Sequence, residues 1–356
     1  MTRASLPRPL LLSGLAVLLA ACSGGATPSP SAPATSPTAA VSPTSVAGGR
    51  LVVYSGRSEE LVGDILATFE SQSGIELDVR YGDTAELAAT ILEEGEASPA
   101  DVFFGQDAGA LGALAADGRL VELPAALLDP VDARFRSPAG LWVGVTGRAR
   151  VAAFDTRELS AADLPDSILD LTDPAWRGRI GWVPTNGSFQ AFVTGLRQVE
   201  GEDGARTWLE GMIANEPTVY EGNGAALEAV RAGEIDIALI NHYYLHQAQA
   251  ESGSDYPVAN HFFVGGDPGA LVNVAGIGIL VSAPNPDAAR ALAAFLLAEE
   301  AQTYFATETF EYPLASGIQP DPDLPALADI ESPEIDLSDL ADLEGTLRLL
   351  QEVGAL

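Results

Sequence analysis

Residues 240–246 read I-N-H-Y-Y-L-H, so two adjacent phenols, Tyr243 and Tyr244, stand among two of the chain's three histidines. A phenol is a poor metal ligand at neutral pH because its pKa is about 10. A small, highly charged cation such as Fe(III) overcomes this by stabilising the phenolate. Zinc and softer ions call instead for Cys, His or Met, and this chain has one Cys and three His. Neighbouring side chains point to opposite faces of a strand and diverge by about 100° on a helix. Both phenols therefore reach one ion only at an irregular turn or a helix start. The same pair is also a common packing unit, rings buried and hydroxyls wet, so taken alone it leaves both readings open.

The surrounding elements decide where the pair sits. Residues 51–54 read as a strand, and 59–72 as a helix with Leu61, Ile65, Leu66 and Phe69 at helical spacing. Residues 75–81 alternate like a half-buried strand, 84–95 read as a helix and 100–104 as a buried strand. Further strands are expected at 142–145, 151–154, 179–183, 235–240 and 272–281, with helices starting near Phe189 and covering 225–232 and 287–305. This alternation predicts α/β lobes with largely parallel sheets. Ligands of open α/β sheets collect beyond the carboxyl ends of strands. Four polar loops follow strands here, at 55–58, 105–107, 185–188 and 241–244, and are expected to converge on one cleft.

The ends of the chain set its compartment. Arg3 and Arg8 precede an apolar run that closes in Leu19-Ala20-Ala21-Cys22. The run is too short for a permanent span and has the shape of a secretory signal. Its ending resembles a bacterial lipobox, which predicts removal of residues 1–21 and a lipid on Cys22. Residues 22–49 are almost entirely Ser, Pro, Thr, Ala and Gly; such a segment buries too little to fold and predicts a tether with a reach of roughly 30 Å. A formal net charge of -32 argues against nucleic acid and anionic membrane surfaces as partners.

Further segments carry a resemblance. V-Y-S-G-R-S-E at 53–59, S-P-A-D-V-F at 98–103, G-R-A-R-V at 147–151 and W-R-G-R-I-G at 176–181 are followed by A-G-E-I-D at 232–236, I-N-H-Y-Y at 240–244, D-P-G-A-L-V at 267–272 and E-Y-P-L at 311–314. In this order they resemble the ferric-ion-binding proteins of bacterial ABC importers, of the type II periplasmic binding fold. The resemblance implies a two-lobed α/β protein with a ligand cleft between lobes. It makes 51–147 and 274–320 the first lobe and 148–273 the second, and the Asp-rich composition beyond them makes 321–356 an acidic, solvated and partly helical C-terminal extension. The resemblance makes Tyr243 and Tyr244 the phenolate ligands of Fe(III), beside a synergistic carbonate or phosphate held at Asn186, Gly187, Asn223 and Asn241. Ser58 and Gln106 stand where the best-known members place a histidine and a glutamate, which leaves these two as possible additional contacts. It further implies delivery to a membrane permease and an extracytoplasmic, lipid-anchored location, and a monomer is expected.

Other residues have competing uses. Arg57 suits an oxyanion, or Glu59 as an ion-pair partner. Arg148 and Arg150 suit structural ion pairs, and His242 and His246 suit hydrogen-bonded structure better than metal. Tyr54 and Tyr220 read as packing, and Glu59 and Asp107 as candidate replacement carboxylates. Each Asn fits a turn or helix cap as well as an anion. The same fold carrying thiamine, a polyamine or an oxyanion is the alternative function. No G-x-S-x-G elbow, H-E-x-x-H pair or cysteine nucleophile points to an enzyme. The lipobox reading is tested by Cys22→Ala, which is expected to release the protein from membranes or block its processing; unchanged membrane retention with a normal mature mass refutes it.

Overall fold

The structure is a computed structural model that describes residues 49–253 and 255–356. The expected signal segment, Cys22 and the tether up to residue 48 lie outside the described residues. Within them, no helix is long and apolar enough to cross a membrane.

The chain opens with β1 (Arg50–Ser55), α1 (Glu59–Ser73), β2 (Glu76–Tyr81), α2 (Thr84–Glu94), β3 (Val102–Gly105), α3 (Ala108–Ala116) and α4 (Ala125–Leu128). It continues through β4 (Val143–Asp155), β5 (Ile180–Trp182), α5 (Gly187–Ala214), β6 (Thr218–Val219), α6 (Asn223–Ala232), β7 (Ile237–Asn241), α7 (Tyr243–Ser252), β8 (Val258–His261) and β9 (Val272–Ile279). Helices α8 (Pro286–Leu296) and α9 (Glu299–Thr307), β10 (Tyr312–Pro313) and α10 (Leu343–Val353) complete it.

Local sequence explains these elements. On α1, Val62, Ile65, Leu66 and Phe69 bury one helical stripe. Asp83 caps α2 by accepting from the Ala85 and Glu86 N–H groups at 2.9 and 3.2 Å. Asp107 caps α3 at the Ala110 N–H, 3.0 Å away. Helix α5 turns at Gly201, whose φ of 75° is open to glycine at little cost.

The strands run in the order β2-β1-β3-β9-β4-β7-β5-β6, with β8 and β10 also pairing to β4. Pairs β1–β2, β1–β3, β5–β6 and β5–β7 are parallel, whereas every pairing of β4 and β9 is antiparallel. The sheet is therefore mixed rather than largely parallel. Strands expected at 142–145 and 151–154 are one strand, β4. Arg148 and Arg150 interrupt the apolar pattern but are buried inside the ladder, only 2% exposed each. The helix expected over 287–305 is two, because Ala298 is extended (φ -79°, ψ 160°) and starts α9 afresh.

Strand β4 passes from one core into another. Val143, Val145 and Ala149 join the core built on β1, β3 and β9. Beyond them, Ala152 and Phe154 face one core and Val151 and Ala153 another, on opposite sides of the β4–β7 ladder. The acidic C-terminal segment touches both regions. Leu337 and Leu340 join the first core, while Leu349 and Leu350 on α10 join the second, each worth about 1.5–3 kcal/mol of burial. Polar bonds fix this segment to α5: Arg197 Nη2 donates to Asp342 Oδ2 at 2.8 Å, and the Thr194 and Thr346 hydroxyls meet at 2.8 Å.

On α3 the segment's backbone lies directly over two glycines. A Cβ on Gly109 would collide with the Leu340 carbonyl, and one on Gly112 with the Ser338 carbonyl. Alanine is the better helix former by about 1 kcal/mol, yet Gly112→Ala is expected to lower stability by a net 1–3 kcal/mol or about that, because backbone cannot yield cheaply. A urea denaturation midpoint that stays level or rises would contradict this seating.

Candidate functional site

Three of the four strand-end loops meet around a cavity of about 930 Å³. The loop after β1 brings Ser58 and Glu59, the loop after β3 brings Gln106 and Asp107, and the loop after β5 brings Asn186 and Gly187. Ser58, Asp107 and Asn186 are the N-caps of α1, α3 and α5. Three helix N-termini thus open on one space, and each favours negative charge there. Gly187 has open space around its missing Cβ, so packing does not demand the glycine. The lining also includes the apolar Ala88, Leu92, Ala113, Leu340 and Leu343.

The fourth loop stands apart from that lining. Strand β7 ends at Asn241 and α7 starts at Tyr243, so the two phenols sit at a helix start. Tyr243 is 2% exposed and Tyr244 is half-buried. Their rings stack at 4.5 Å between centroids and 24° between planes. Burial raises the Tyr243 pKa above its ordinary value; Tyr244 adds to the rise, and Arg148 and Arg57 oppose it. Without a metal beside it Tyr243 is therefore a neutral phenol, and only a strongly polarising cation makes it a ligand.

Arg148 links the pair to the cavity, whose wall it forms in part. It lies on β4, 2% exposed, and none of its three guanidinium nitrogens has a hydrogen-bond partner. Glu311 Oε1 lies 3.8 Å from its Nε. Burial and the nearby Arg57 push the Arg148 pKa down, while Glu311, Tyr243 and Asp107 act against that shift. Arg57, the expected anion contact, is instead tied to Glu311: its Nη2 donates to Glu311 Oε2 at 2.6 Å. It is 1% exposed and outside the cavity lining, and its partner is not Glu59.

Sequence reasoning missed Glu311 as a site residue. It is fully buried and also accepts from the Thr309 hydroxyl at 3.1 Å. The one signal was a lone carboxylate beside Tyr-Pro in a segment already singled out. Arg148 suits a structural ion pair by its sequence context, yet all three of its guanidinium nitrogens are buried without a hydrogen-bond partner and the residue forms part of the cavity wall. Arg150 is structural: its Nη2 donates to the Leu239 carbonyl at 2.7 Å, and it lies over Phe189 and Phe192 at 5.2 and 5.4 Å. Burial pushes its pKa down to about 9.

The asparagines divide. Asn186 caps α5, its Oδ1 accepting from the Ser188 N–H at 3.0 Å and from Asn223 Nδ2 at 3.4 Å. Asn223 is 2% exposed, and its Oδ1 has no partner. Asn241 is buried in the ladder opposite Arg150. Asn223 and Asn241 lie outside the cavity lining. Asp107 lines the cavity while capping α3, and desolvation raises its pKa. His242 is fully buried with both ring nitrogens engaged, and burial lowers its pKa to about 3. The His246 ring stacks on Phe310 at 6.0 Å. Tyr54 donates to Glu94 at 3.0 Å, and Tyr220 is half-buried beside Gly181. Among the described residues, no group of three or more His, Cys, Asp or Glu side chains is arranged to hold a metal ion.

Comparison with known proteins places this geometry in a lineage. Residues 97–336 match the family model described as bacterial extracellular solute-binding protein. The major ferric iron-binding protein of Neisseria meningitidis serogroup B is 36% identical over 307 residues, covering 85% of this chain and 92% of that protein. The Fe(3+)-binding periplasmic protein of Serratia marcescens is 33% identical over 308 residues, covering 86% and 90%. The crystal structure of iron-bound HitA from Pseudomonas aeruginosa superposes with a TM-score of 0.80 at 37% identity, covering 86% of this chain and 99% of that one. The shared architecture is the mixed α/β type II periplasmic binding-protein fold. Matched over most of its length in both sequence and structure, the chain belongs to the bacterial extracellular solute-binding protein family.

Proposed function

We propose that this protein is the extracytoplasmic receptor of an ABC importer. It binds Fe(III) through Tyr243 and Tyr244 together with a small oxyanion, carbonate or phosphate, and delivers the ion to a membrane permease. A lipid on Cys22 tethers it outside the membrane. Residues 51–147 with 274–320 form one lobe and 148–273 the other, and the two close over the cargo about the β4 and β9 crossing.

The observation that carries this reading is the pairing of a buried phenol at a helix start with an unpartnered buried guanidinium on the cavity wall, Tyr243 with Arg148. Two phenolates and a small anion balance the charge of Fe(III) without a carboxylate or imidazole. Arg148 offers a planar fork suited to an oxyanion, and Gly187 at the α5 N-terminus lines the same cavity. The named relatives, a major ferric iron-binding protein and an Fe(3+)-binding periplasmic protein, support the same cargo. A second reading has its own support. The cavity of about 930 Å³ is roomy for one ion, and Glu59, Asp83, Asp107 and Glu344 line it, which favours an organic cation such as thiamine or a polyamine.

Titration with ferric citrate is expected to produce a visible phenolate-to-iron charge-transfer band. Because both phenols must ionise, about two protons leave per iron bound. The raised pKa of Tyr243 makes protons stronger competitors as pH falls, so affinity is expected to drop with decreasing pH. Tyr243→Phe or Tyr244→Phe is expected to lower iron affinity by more than the about 100-fold cost of losing an outer-shell partner, with little change in fold stability. Equal iron binding by the double variant and the parent would sink the assignment, and tight calorimetric binding of thiamine or spermidine in its place would move the cargo to the second reading.

A further inference from the structure

His242 links the strand that ends in Asn241 to the helix that opens with Tyr243, and it is fully buried. Its Nδ1 accepts a hydrogen bond from the Ala149 N–H at 3.2 Å. The ring proton therefore sits on Nε2, which donates to the Phe310 carbonyl at 2.9 Å. The backbone of His242 is held as well. Its N–H donates to the Ala149 carbonyl at 3.0 Å, and its carbonyl accepts from Asn260 Nδ2 at 2.9 Å. The ring lies against Tyr312, 4.7 Å between centroids, and meets Tyr243 edge-on at 5.9 Å.

The neighbours of the two ring partners matter more than the partners themselves. Ala149 follows Arg148, and Phe310 precedes Glu311. Those are the cation and the carboxylate whose charges act on Tyr243. One imidazole thus ties together the three backbone segments that carry the cation, the carboxylate and the phenol. Phe310 adopts φ 57°, a conformation that costs a bulky residue of order 1–3 kcal/mol. Such strain persists only where the surroundings over-determine it. Here the His242 bond fixes the Phe310 carbonyl, and the His246 ring stacks on the Phe310 side chain.

We propose that His242 is a positioning residue for the cargo: its fixed tautomer sets the register of Tyr243 against Arg148 and Glu311, so the phenol is oriented before the metal arrives. This rests on the reading of Tyr243 as a ferric ligand. Imidazole suits the task because it presents an acceptor and a donor on separate edges of one rigid ring. Phenylalanine keeps the ring on Tyr312 but offers neither bond. Glutamine can keep the donor towards Phe310, and asparagine the acceptor towards Ala149.

The test titrates the parent and its variants with ferric citrate, following the charge-transfer band, with urea denaturation of the iron-free proteins alongside. His242→Phe is expected to lose about 10- to 100-fold in iron affinity and to shift the band, and His242→Gln to recover part of both. A merely structural role would lower the urea midpoint while leaving affinity and band of the folded variant at parental values, and that result overturns the proposal. If His242→Phe does not fold, His242→Gln and His242→Asn carry the test: weaker iron binding in either supports it, and parental affinity and band in both overturn it. Failure of the tyrosine reading is distinguishable, because the parent then shows no band that Tyr243→Phe removes, and the proposal falls with it.

Discussion

Glu311 is a carboxylate without exposure, and it stands between two guanidiniums that have almost none, Arg57 at 2.6 Å and Arg148 at 3.8 Å. Taking each such charge out of water costs several kcal/mol, so the cluster persists only because opposite charges meet inside it. One carboxylate serves two arginines, which leaves Arg148 partly uncompensated on the cavity wall. The cluster joins the loop after β1, the middle of β4 and the segment before β10. These segments position the cavity loops and the helix that carries the phenols. Removing Glu311 would leave two buried cations facing each other, and they would drive the three segments apart.

Around that cluster the backbone changes ladder partners. Ala149 pairs with Val272 on β9 while Arg150 pairs with Asn241 on β7, so one peptide step carries β4 from one core's ladder into the next. Strand β4 thus runs on past β9, whose buried residues stay in the first core, to reach the other two. The C-terminal segment spans the same two regions. It is hydrogen-bonded to α5 and lies on α3 through close backbone contact at Gly109 and Gly112.

The charge of the whole chain and the charge of Arg148 on the cavity wall have opposite signs. A net charge of -32 repels anions at a distance, yet screening limits that field to about 8 Å at physiological ionic strength. Inside the cavity one cation, Arg148, and three helix N-termini stand beside four carboxylates, Glu59, Asp83, Asp107 and Glu344. An oxyanion meets favourable charge there only close to Arg148 and the helix N-termini, whereas the carboxylates of the lining and of the exterior favour cations.

Periodicity made most elements legible. The stripe of α1 and the alternation of β2 are local patterns, and local sterics decide them. The strand-end loops at Ser58, Gln106 and Asn186 followed from where strands stop and helices start, and the ordered segments from 53 to 314 carried the family. Continuity of β4 was not legible, because Arg148 and Arg150 look like solvent-facing residues until the sheet buries them. The largely parallel sheet failed for a related reason: strand direction depends on how β4 and β9 return between cores, which no single segment encodes. Arg57 and Glu311 are 254 residues apart, so their pairing is a property of the closed chain. The residue types by themselves determined which chemistry was possible, phenolate and guanidinium in an acidic, cysteine-poor chain. Only the tertiary structure decided how the buried carboxylate is shared, with Glu311 bonded to Arg57 Nη2 and all three Arg148 nitrogens left without a partner, because residues so far apart in sequence meet only when the chain closes.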